Sequence, residues 1–148
     1  LTMTSGSGIM TSTFSHYGEL KSGDVAKRQN GVLVSMVQGT VLAYALFTLQ
    51  DRGRLFAEPQ LEVYEGMVVG INSRGDDMVV NPTKAKQLTN IRASGTDEAL
   101  ILSPPIKHTL EQALEFIADD ELVEVTPKSI RIRKKFLTES ERKRNKQR

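Results

Sequence analysis

Cysteine and tryptophan are absent from the 148-residue chain, and histidine occurs only twice, at positions 16 and 108. Without cysteine the chain can form neither disulfides nor thiolate metal sites, and it has no cysteine nucleophile. Two histidines leave little material for a zinc centre or a Ser/His/Asp triad. We therefore expect no redox, zinc or triad chemistry, and no metal or other cofactor bound to this chain.

Long apolar runs are also missing, because no stretch approaches the roughly 20 residues that a helix needs to cross a bilayer. The N-terminus shows no cationic start, apolar stretch and cleavage site of a secretion signal. Hydrophobic residues make up 39% and charged residues 26% of the chain, which is typical of one globular domain or a domain with a fragment of its neighbour. We expect no membrane contact. Leu1 in place of an initiator methionine indicates a piece of a longer protein.

Recognisable catalytic sequences are absent as well. The phosphate-binding sequence G-x-x-x-x-G-K-[ST] does not occur, and Ser5-Gly6-Ser7-Gly8 lacks its lysine. The adjacent carboxylates Asp76-Asp77 and Asp119-Asp120-Glu121 are more typical of solvated turns than of a metal site or a general acid. We therefore expect this chain not to be an enzyme.

Charge is present in abundance but is unevenly divided. Residues 1–127 hold 10 Lys or Arg against 16 Asp or Glu, whereas residues 128–148 hold 10 against 2. A basic end on an acidic body is typical of proteins that contact nucleic acid, because clustered cations release counterions from phosphates. The alternative is a solvated tail that only improves solubility. The charge pattern alone leaves both open.

Strand signals dominate the middle of the chain. The apolar runs at 31–37 and 40–49 flank Gln38-Gly39 and predict a hairpin, and the runs at 66–71 and 77–80 predict a second one. A further strand is expected at 99–102, before Pro104-Pro105.

Period-two alternation predicts two more strands, at 122–125 and 130–133, around Thr126-Pro127. The alternation places Val123, Val125, Ile130 and Ile132 inward, and it places Arg131 and Arg133 outward.

Helix signals appear only in the last third. Thr109 and Gln112 form a capping-box pattern before an apolar stripe of Leu110, Ala113, Leu114 and Ile117, which predicts an amphipathic helix over 109–120. Thr138 and Glu141 repeat the capping box, but no apolar stripe follows them, so we expect a basic terminal helix with little to pack it. The predicted fold is α+β: a strand-rich mixed or barrel-like sheet with one packed amphipathic helix and a basic C-terminal helix.

The connection NPTKAKQLTNIRASGTDE, residues 81–98, is a candidate site. It contains only Leu88 and Ile91 as large apolar residues, and connections of this length without a core are more often functional or disordered than structural. Its cations can meet phosphates and its amides and hydroxyls can bond sugars or bases, as in RNA recognition. The alternative is a plain surface loop.

Several blocks resemble, in order, the C-terminal part of the BipA/TypA family of translational GTPases, which are related to elongation factor G. The blocks are GELKSGDVAKRQNGVLVSMVQG, LQDRGRLF, VYEGMVVGINSR, KQLTNIRASGTDEA and LEQALEFIADDELVEVTPKSIRIRKK. The resemblance implies that residues 1–16 end an elongation-factor-G-like α/β domain and that residues 17–148 form the family-specific C-terminal domain.

The resemblance also implies a function. Members of this family bind the ribosome, including large-subunit rRNA and the acceptor arm of A-site tRNA, in 50S assembly and stress-adapted translation. GTP and Mg²⁺ would bind to a GTPase domain of the parent protein, outside this chain. We expect a monomer in the bacterial cytoplasm, or in the chloroplast stroma of a plant or alga, that does not bind DNA. The competing hypothesis is a protein-interaction module with a solubilising basic tail.

Two regions hold the residues predicted to contact RNA. The loop supplies Lys84, Lys86, Gln87, Asn90, Arg92 and Ser94. The basic end supplies Lys128, Arg131, Arg133, Lys134, Lys135, Arg142, Lys143 and Arg144.

Overall fold

The computed structural model describes residues 8–20, 28–86 and 100–146. The elements in chain order are β1 (Val32–Ser35), β2 (Gly39–Thr40), α1 (Ala43–Leu49), β3 (Gly53–Leu55), β4 (Glu62–Val63), β5 (Val68–Asn72), β6 (Met78–Val80), α2 (Leu110–Phe116), β7 (Glu121–Val125), β8 (Ile130–Lys134) and α3 (Glu139–Lys146). A 3-10 turn, Gln50–Arg52, joins α1 to β3. The α+β prediction is confirmed.

The strands form one four-stranded sheet, in the order β3-β5-β1-β6, and two pairs, β2-β4 and β7-β8. Strand β1 is antiparallel to β5 and parallel to β6. The prediction left two forms open, a mixed sheet or a barrel-like sheet. Within the described residues no sheet closes on itself, so the sheet is mixed and not barrel-like. No helix among these residues has both the length and the apolar character to span a bilayer.

The central strands are buried on both faces. Leu33 of β1 packs with Leu46 and Leu49 of α1 in one hydrophobic cluster. Val32 on the opposite face packs with Ala113 of α2 and Ile132 of β8 in the other. The domain therefore has three layers, with α1 on one side of the sheet and α2 and the β7-β8 hairpin on the other. This double burial explains why β1 and β5 have continuous apolar sequences without alternation.

The first predicted hairpin is wrong, because most of the run at 40–49 is helix α1. Ala45, Leu46 and Leu49 are buried in α1 while Phe47 and Thr48 are exposed, which is a helical and not a strand period. Alanine and leucine are also strong helix formers. A continuous apolar run does not by itself distinguish the two periods.

The second predicted hairpin is also wrong, although both of its strands exist as β5 and β6. Strand β1 lies between them, so the loop after β5 crosses the end of β1 at Gly31. The Gly31 N–H donates to Arg74 O at 2.8 Å, and a Cβ at Gly31 would lie 2.2 Å from the Asp76 carbonyl. Only glycine allows this crossing. The strand predicted at 99–102 is absent from residues 100–102, and residue 99 lies outside the described residues.

Helix α2 has the predicted capping box, with both reciprocal hydrogen bonds of Thr109 and Gln112 present. The helix ends at Phe116 and not at 120, because the backbone of Ile117 is extended. Its buried face is also narrower than predicted: Ala113 is fully buried and Ile117 packs beside it, but Leu114 is 55% exposed and Leu110 38%.

The β7-β8 hairpin is confirmed, with Val123 opposite Ile132 and Val125 opposite Ile130. Val123 and Ile132 face the core as predicted. Val125 and Ile130 do not, being 61% and 37% exposed near the hairpin turn. The same face instead continues toward α2 with Glu121 opposite Lys134, both buried.

Helix α3 forms as predicted, and Thr138 and Glu141 make its capping box: the Glu141 N–H donates to Thr138 Oγ1 and the Thr138 N–H donates to Glu141 Oε2, each at 3.4 Å. The Glu139 N–H also donates to Glu65 Oε1 at 3.1 Å, which ties the start of α3 to the body of the domain.

Gly66 holds the segment that leads into α3. Its φ is +86°, a left-handed conformation, and a Cβ here would lie 2.7 Å from Leu137 Cα and 2.8 Å from Leu137 O. Gly66→Ala should therefore lower the free energy of unfolding by about 2 kcal/mol, from backbone strain and displacement of Leu137. Urea unfolding measures this change. Gly18→Ala is the control, because no heavy atom lies within 4 Å of its added Cβ. Equal stability of the two variants would contradict the close approach.

Candidate nucleic-acid interface

A cleft of about 550 Å³ lies between helix α1 and the residues that follow strand β6. We name it the α1 cleft. Its polar lining includes Tyr44, Thr48, Arg52, Lys84 and Lys86, and none of the described residues that line it is a carboxylate. Three cations without a counter-charge among these lining residues create a positive potential that attracts anions.

Local structure sets the positions of these side chains. Tyr44 and Thr48 are four residues apart in α1 and therefore lie on the same face of the helix. Arg52 follows in the 3-10 turn, and its Nη1 lies 3.5 Å from Met78 Sδ on β6. On the opposite wall, Asn81 Oδ1 accepts hydrogen bonds from the Thr83 amide and hydroxyl, at 3.0 and 2.8 Å. This Asx turn directs the chain into Lys84.

Lys84 and Lys86 are exposed, and neither forms an ion pair with another described residue. The other predicted loop residues, Gln87, Asn90, Arg92 and Ser94, lie outside the described residues. The chain returns beside α1, where the Gln50 amide donates to Ile101 O and accepts from the Ser103 N–H, each at 3.1 Å. Residues on both sides of the 87–99 segment thus contact the α1 region.

Lys134 was predicted to contact RNA, and the structure contradicts this. Its side chain is buried, and its Nζ lies 2.6 Å from Asp77, 2.8 Å from Asp120 and 2.9 Å from Glu121. A buried ammonium group with three carboxylate partners has no donor left for a phosphate. Period-two alternation along β8 places only Arg131 and Arg133 outward. Lys134 comes next in the alternation and therefore lies on the inward face, with Ile132.

Arg28 completes this buried ion cluster, which we define as Arg28, Asp77, Asp120, Glu121 and Lys134. The guanidinium group donates to both carboxylate oxygens of Glu121, at 2.7 and 2.8 Å. It also donates to Phe116 O at 3.0 Å and lies 4.4 Å from the centre of the Phe116 ring. The cluster therefore joins the start of the domain to α2, β7 and β8.

The cluster stays charged despite its burial. Burial alone would raise the pKa of Glu121, but hydrogen bonds from Arg28, the Ala118 amide and Lys134 hold it below its ordinary value. Burial alone would lower the pKa of Lys134, but hydrogen bonds to Asp120, Asp77 and Glu121 hold it above its ordinary value.

The other cations of the basic end differ in how far they are already paired. Arg131 lies 3.9 Å from Glu124, Lys143 lies 2.6 Å from Glu139, and Arg142 Nη1 donates to the carbonyls of Phe136 and Leu137. Arg133 Nη1 donates to Lys134 O at 3.3 Å. Lys128, Lys135 and Arg144 are exposed and form no ion pair with another described residue.

A second cleft, of about 530 Å³, lies between β6 and α3, and we name it the α3 cleft. Lys135, Arg142 and Lys143 line it, but so do Asp77, Asp120 and Glu139, so its charges are balanced. Val79 of the edge strand β6 lines both clefts. Lys84 and Lys86 and part of the basic end therefore lie on the two sides of one strand.

Sequence reasoning missed two features of these surfaces. Tyr44 and Arg52 were not predicted as site residues, because the run at 40–49, which contains Tyr44, was interpreted as a strand and Arg52 only as part of the break after it. The partnership of Arg28 with Glu121 joins residues far apart in sequence, and no local signal indicates it. The described residues contain no group of three or more potential metal ligands.

The fold and the cleft together define an α+β domain with a cationic cleft beside one edge of its central sheet. A family model described as the TypA/BipA C-terminal domain matches residues 30–139. The chain belongs to the TypA/BipA family, which confirms the resemblance.

Curated relatives of the chain carry the name large ribosomal subunit assembly factor BipA, and three of them illustrate the similarity. The chain is 64% identical to that of Salmonella typhimurium over 144 residues, 59% to that of Haemophilus influenzae over 144, and 54% to that of Buchnera aphidicola over 143. Each comparison covers 97% of this chain but only 23 to 24% of the relative. The chain thus spans about a quarter of the length of the relatives it matches.

Proposed function

We propose that this chain is the ribosome-binding C-terminal part of a large-subunit assembly factor. The observation that carries this proposal is the α1 cleft, where Arg52, Lys84 and Lys86 gather and no other described lining residue is charged. Ribosomal RNA is polyanionic, so an unneutralised cationic cleft favours it over most protein surfaces. The names of the relatives support the same partner.

The finer assignments extend this proposal. The parent protein is a translational GTPase that binds GTP and Mg²⁺ in an upstream domain, while this chain holds no cofactor and catalyses nothing. Residues 1–16 end an elongation-factor-G-like domain, and residues 17–148 form the binding domain. The partners are large-subunit rRNA and the acceptor arm of A-site tRNA, during 50S assembly and stress-adapted translation. The protein acts as a monomer in the bacterial cytoplasm.

The proposed RNA-contacting set keeps the predicted residues, with Lys134 removed because it is buried. It consists of Lys84, Lys86, Gln87, Asn90, Arg92, Ser94, Lys128, Arg131, Arg133, Lys135, Arg142, Lys143 and Arg144.

Co-sedimentation of the full-length protein with large ribosomal subunits tests the proposal. Because the contacts are to phosphates, the logarithm of the binding constant should fall linearly as the logarithm of the salt concentration rises. Binding to naked large-subunit rRNA should show the same dependence. A protein-interaction module with a solubilising tail would instead bind intact subunits with little salt dependence and would not bind naked rRNA. That pattern would overturn the proposal.

A further inference from the structure

We propose that the α1 cleft binds one unpaired RNA nucleotide, with Tyr44 stacking on the base and Arg52 contacting an adjacent phosphate. This inference rests on the proposed function, because it names the form of RNA that the cationic cleft accepts. Neither residue belongs to the set predicted from the sequence.

The shape of the cleft favours a single nucleotide over a duplex. Its volume of about 550 Å³ is within the range of protein sites for small ligands. Duplex RNA is recognised across a wide, shallow minor groove, which needs an extended surface. Unpaired bases, in contrast, are splayed out and stacked on aromatic side chains.

The lining offers the two chemistries that a nucleotide needs. Tyr44 is half-buried and belongs to neither hydrophobic cluster, so its ring is a wall of the cleft and not part of the core. The aliphatic residues Ala45, Leu49, Met78 and Val80 provide further apolar lining for a base. The cations lie in the 3-10 turn and after β6, where they can meet the phosphates on either side of that base.

The charge of the cleft excludes other ligand classes. A hard metal ion or a basic peptide needs carboxylates, and none is found among the described residues of the cleft lining. Among the described residues, the guanidinium group of Arg52 hydrogen-bonds only to Met78 Sδ. A planar group with several unused donors is suited to a phosphate or to the edge of a base.

The test uses the full-length protein and a short unpaired oligoribonucleotide that carries one 2-aminopurine, a base whose fluorescence falls on stacking. Tyr44→Leu should weaken binding about tenfold and abolish the fluorescence change, because one stacking contact is lost. Tyr44→Phe should retain both. Arg52→Gln should weaken binding, but the fluorescence change measured at saturating protein should stay the same as with the wild type. A duplex of the same sequence should bind more weakly than the single strand.

Tyr17→Leu is the matched control, because Tyr17 is almost fully exposed and does not line the cleft. If Tyr44→Leu binds as tightly as Tyr17→Leu, or if Tyr44→Phe fails as completely as Tyr44→Leu, stacking on Tyr44 is wrong. Arg52→Gln provides a second test that leaves the aromatic wall in place, and unchanged binding would refute the phosphate contact. Failure of the proposed function is distinct, because the wild-type protein would then not co-sediment with large subunits at any salt concentration.

Discussion

Replacing Lys134 by alanine is expected to lower the free energy of unfolding by about 3 kcal/mol, because removing one partner of a buried ion pair leaves the others uncompensated. The Lys134 side chain is 2% exposed, and that of Glu121 is fully buried. Glu121 keeps its two hydrogen bonds from Arg28, which limits the loss. Urea unfolding of the chain measures the change.

Lys135→Ala is the matched control, since Lys135 is adjacent and exposed and forms no ion pair with another described residue. Its stability should lie close to that of the wild type. A Lys134→Ala variant as stable as Lys135→Ala would show that the buried ion cluster contributes nothing to folding.

The effect of Lys134→Ala should also depend on pH. The pKa of Glu121 is lowered in the folded state, so its contribution is complete above its ordinary pKa of 4.5 and is lost as pH falls through the folded value. The pKa of Lys134 is raised, so its contribution is complete below 10.5 and is lost as pH rises through the folded value. The difference in the free energy of unfolding between wild type and variant should therefore be largest between pH 4.5 and pH 10.5 and should become smaller at lower and at higher pH.

The features that sequence predicted correctly are those with local signals. The capping box of α2 depends on Thr109 and Gln112, three residues apart, and the β7-β8 hairpin depends on alternation around one short turn. Both could be recognised because the interacting residues are close in sequence. The positions of Val125 and Ile130 could not be, since their exposure depends on where the core ends and not on their alternation.

The errors arose where distant parts of the chain decide the outcome. Strand β1 enters between β5 and β6, which no pattern within 66–80 can indicate. Lys134 has the charge expected of an RNA-contacting residue, but its ammonium group forms ion pairs with Asp77 and Glu121. The sequence therefore shows where the cations lie along the chain, but not which of them already have carboxylate partners in the fold.

Loss of three charges should affect ribosome binding differently according to where the charges lie. The loop variant replaces Lys84, Lys86 and Arg92 by glutamine, and the tail variant replaces Lys135, Lys143 and Arg144 by glutamine. A third variant replaces Arg54, Arg74 and Lys107 by glutamine. These residues lie outside both proposed regions, so this variant is the control that loses the same formal charge.

We expect the cations of the tail to strengthen binding to the ribosome and the residues of the loop to fix the position of the protein on the RNA. Each lost phosphate contact should make the salt dependence of binding less steep by about one unit on logarithmic axes. The tail variant should lose about three units, because the exposed Lys143–Glu139 pair is too weak to keep Lys143 from a phosphate. Its protection of ribosomal RNA from chemical probes should weaken at all positions together, since phosphate contacts carry no sequence information.

The loop variant should instead lose protection at particular RNA positions, because Lys84 and Lys86 border a shaped cleft and the loop combines its cations with amides and hydroxyls. Chemical footprinting on ribosomes with A-site tRNA separates the two roles, and the control variant should leave the footprint unchanged. If the loop variant keeps the footprint near the acceptor end of the tRNA while the tail variant erases it selectively, the roles are reversed. The charge-balanced α3 cleft would then be the recognition surface, with its carboxylates displaced from their lysines by RNA.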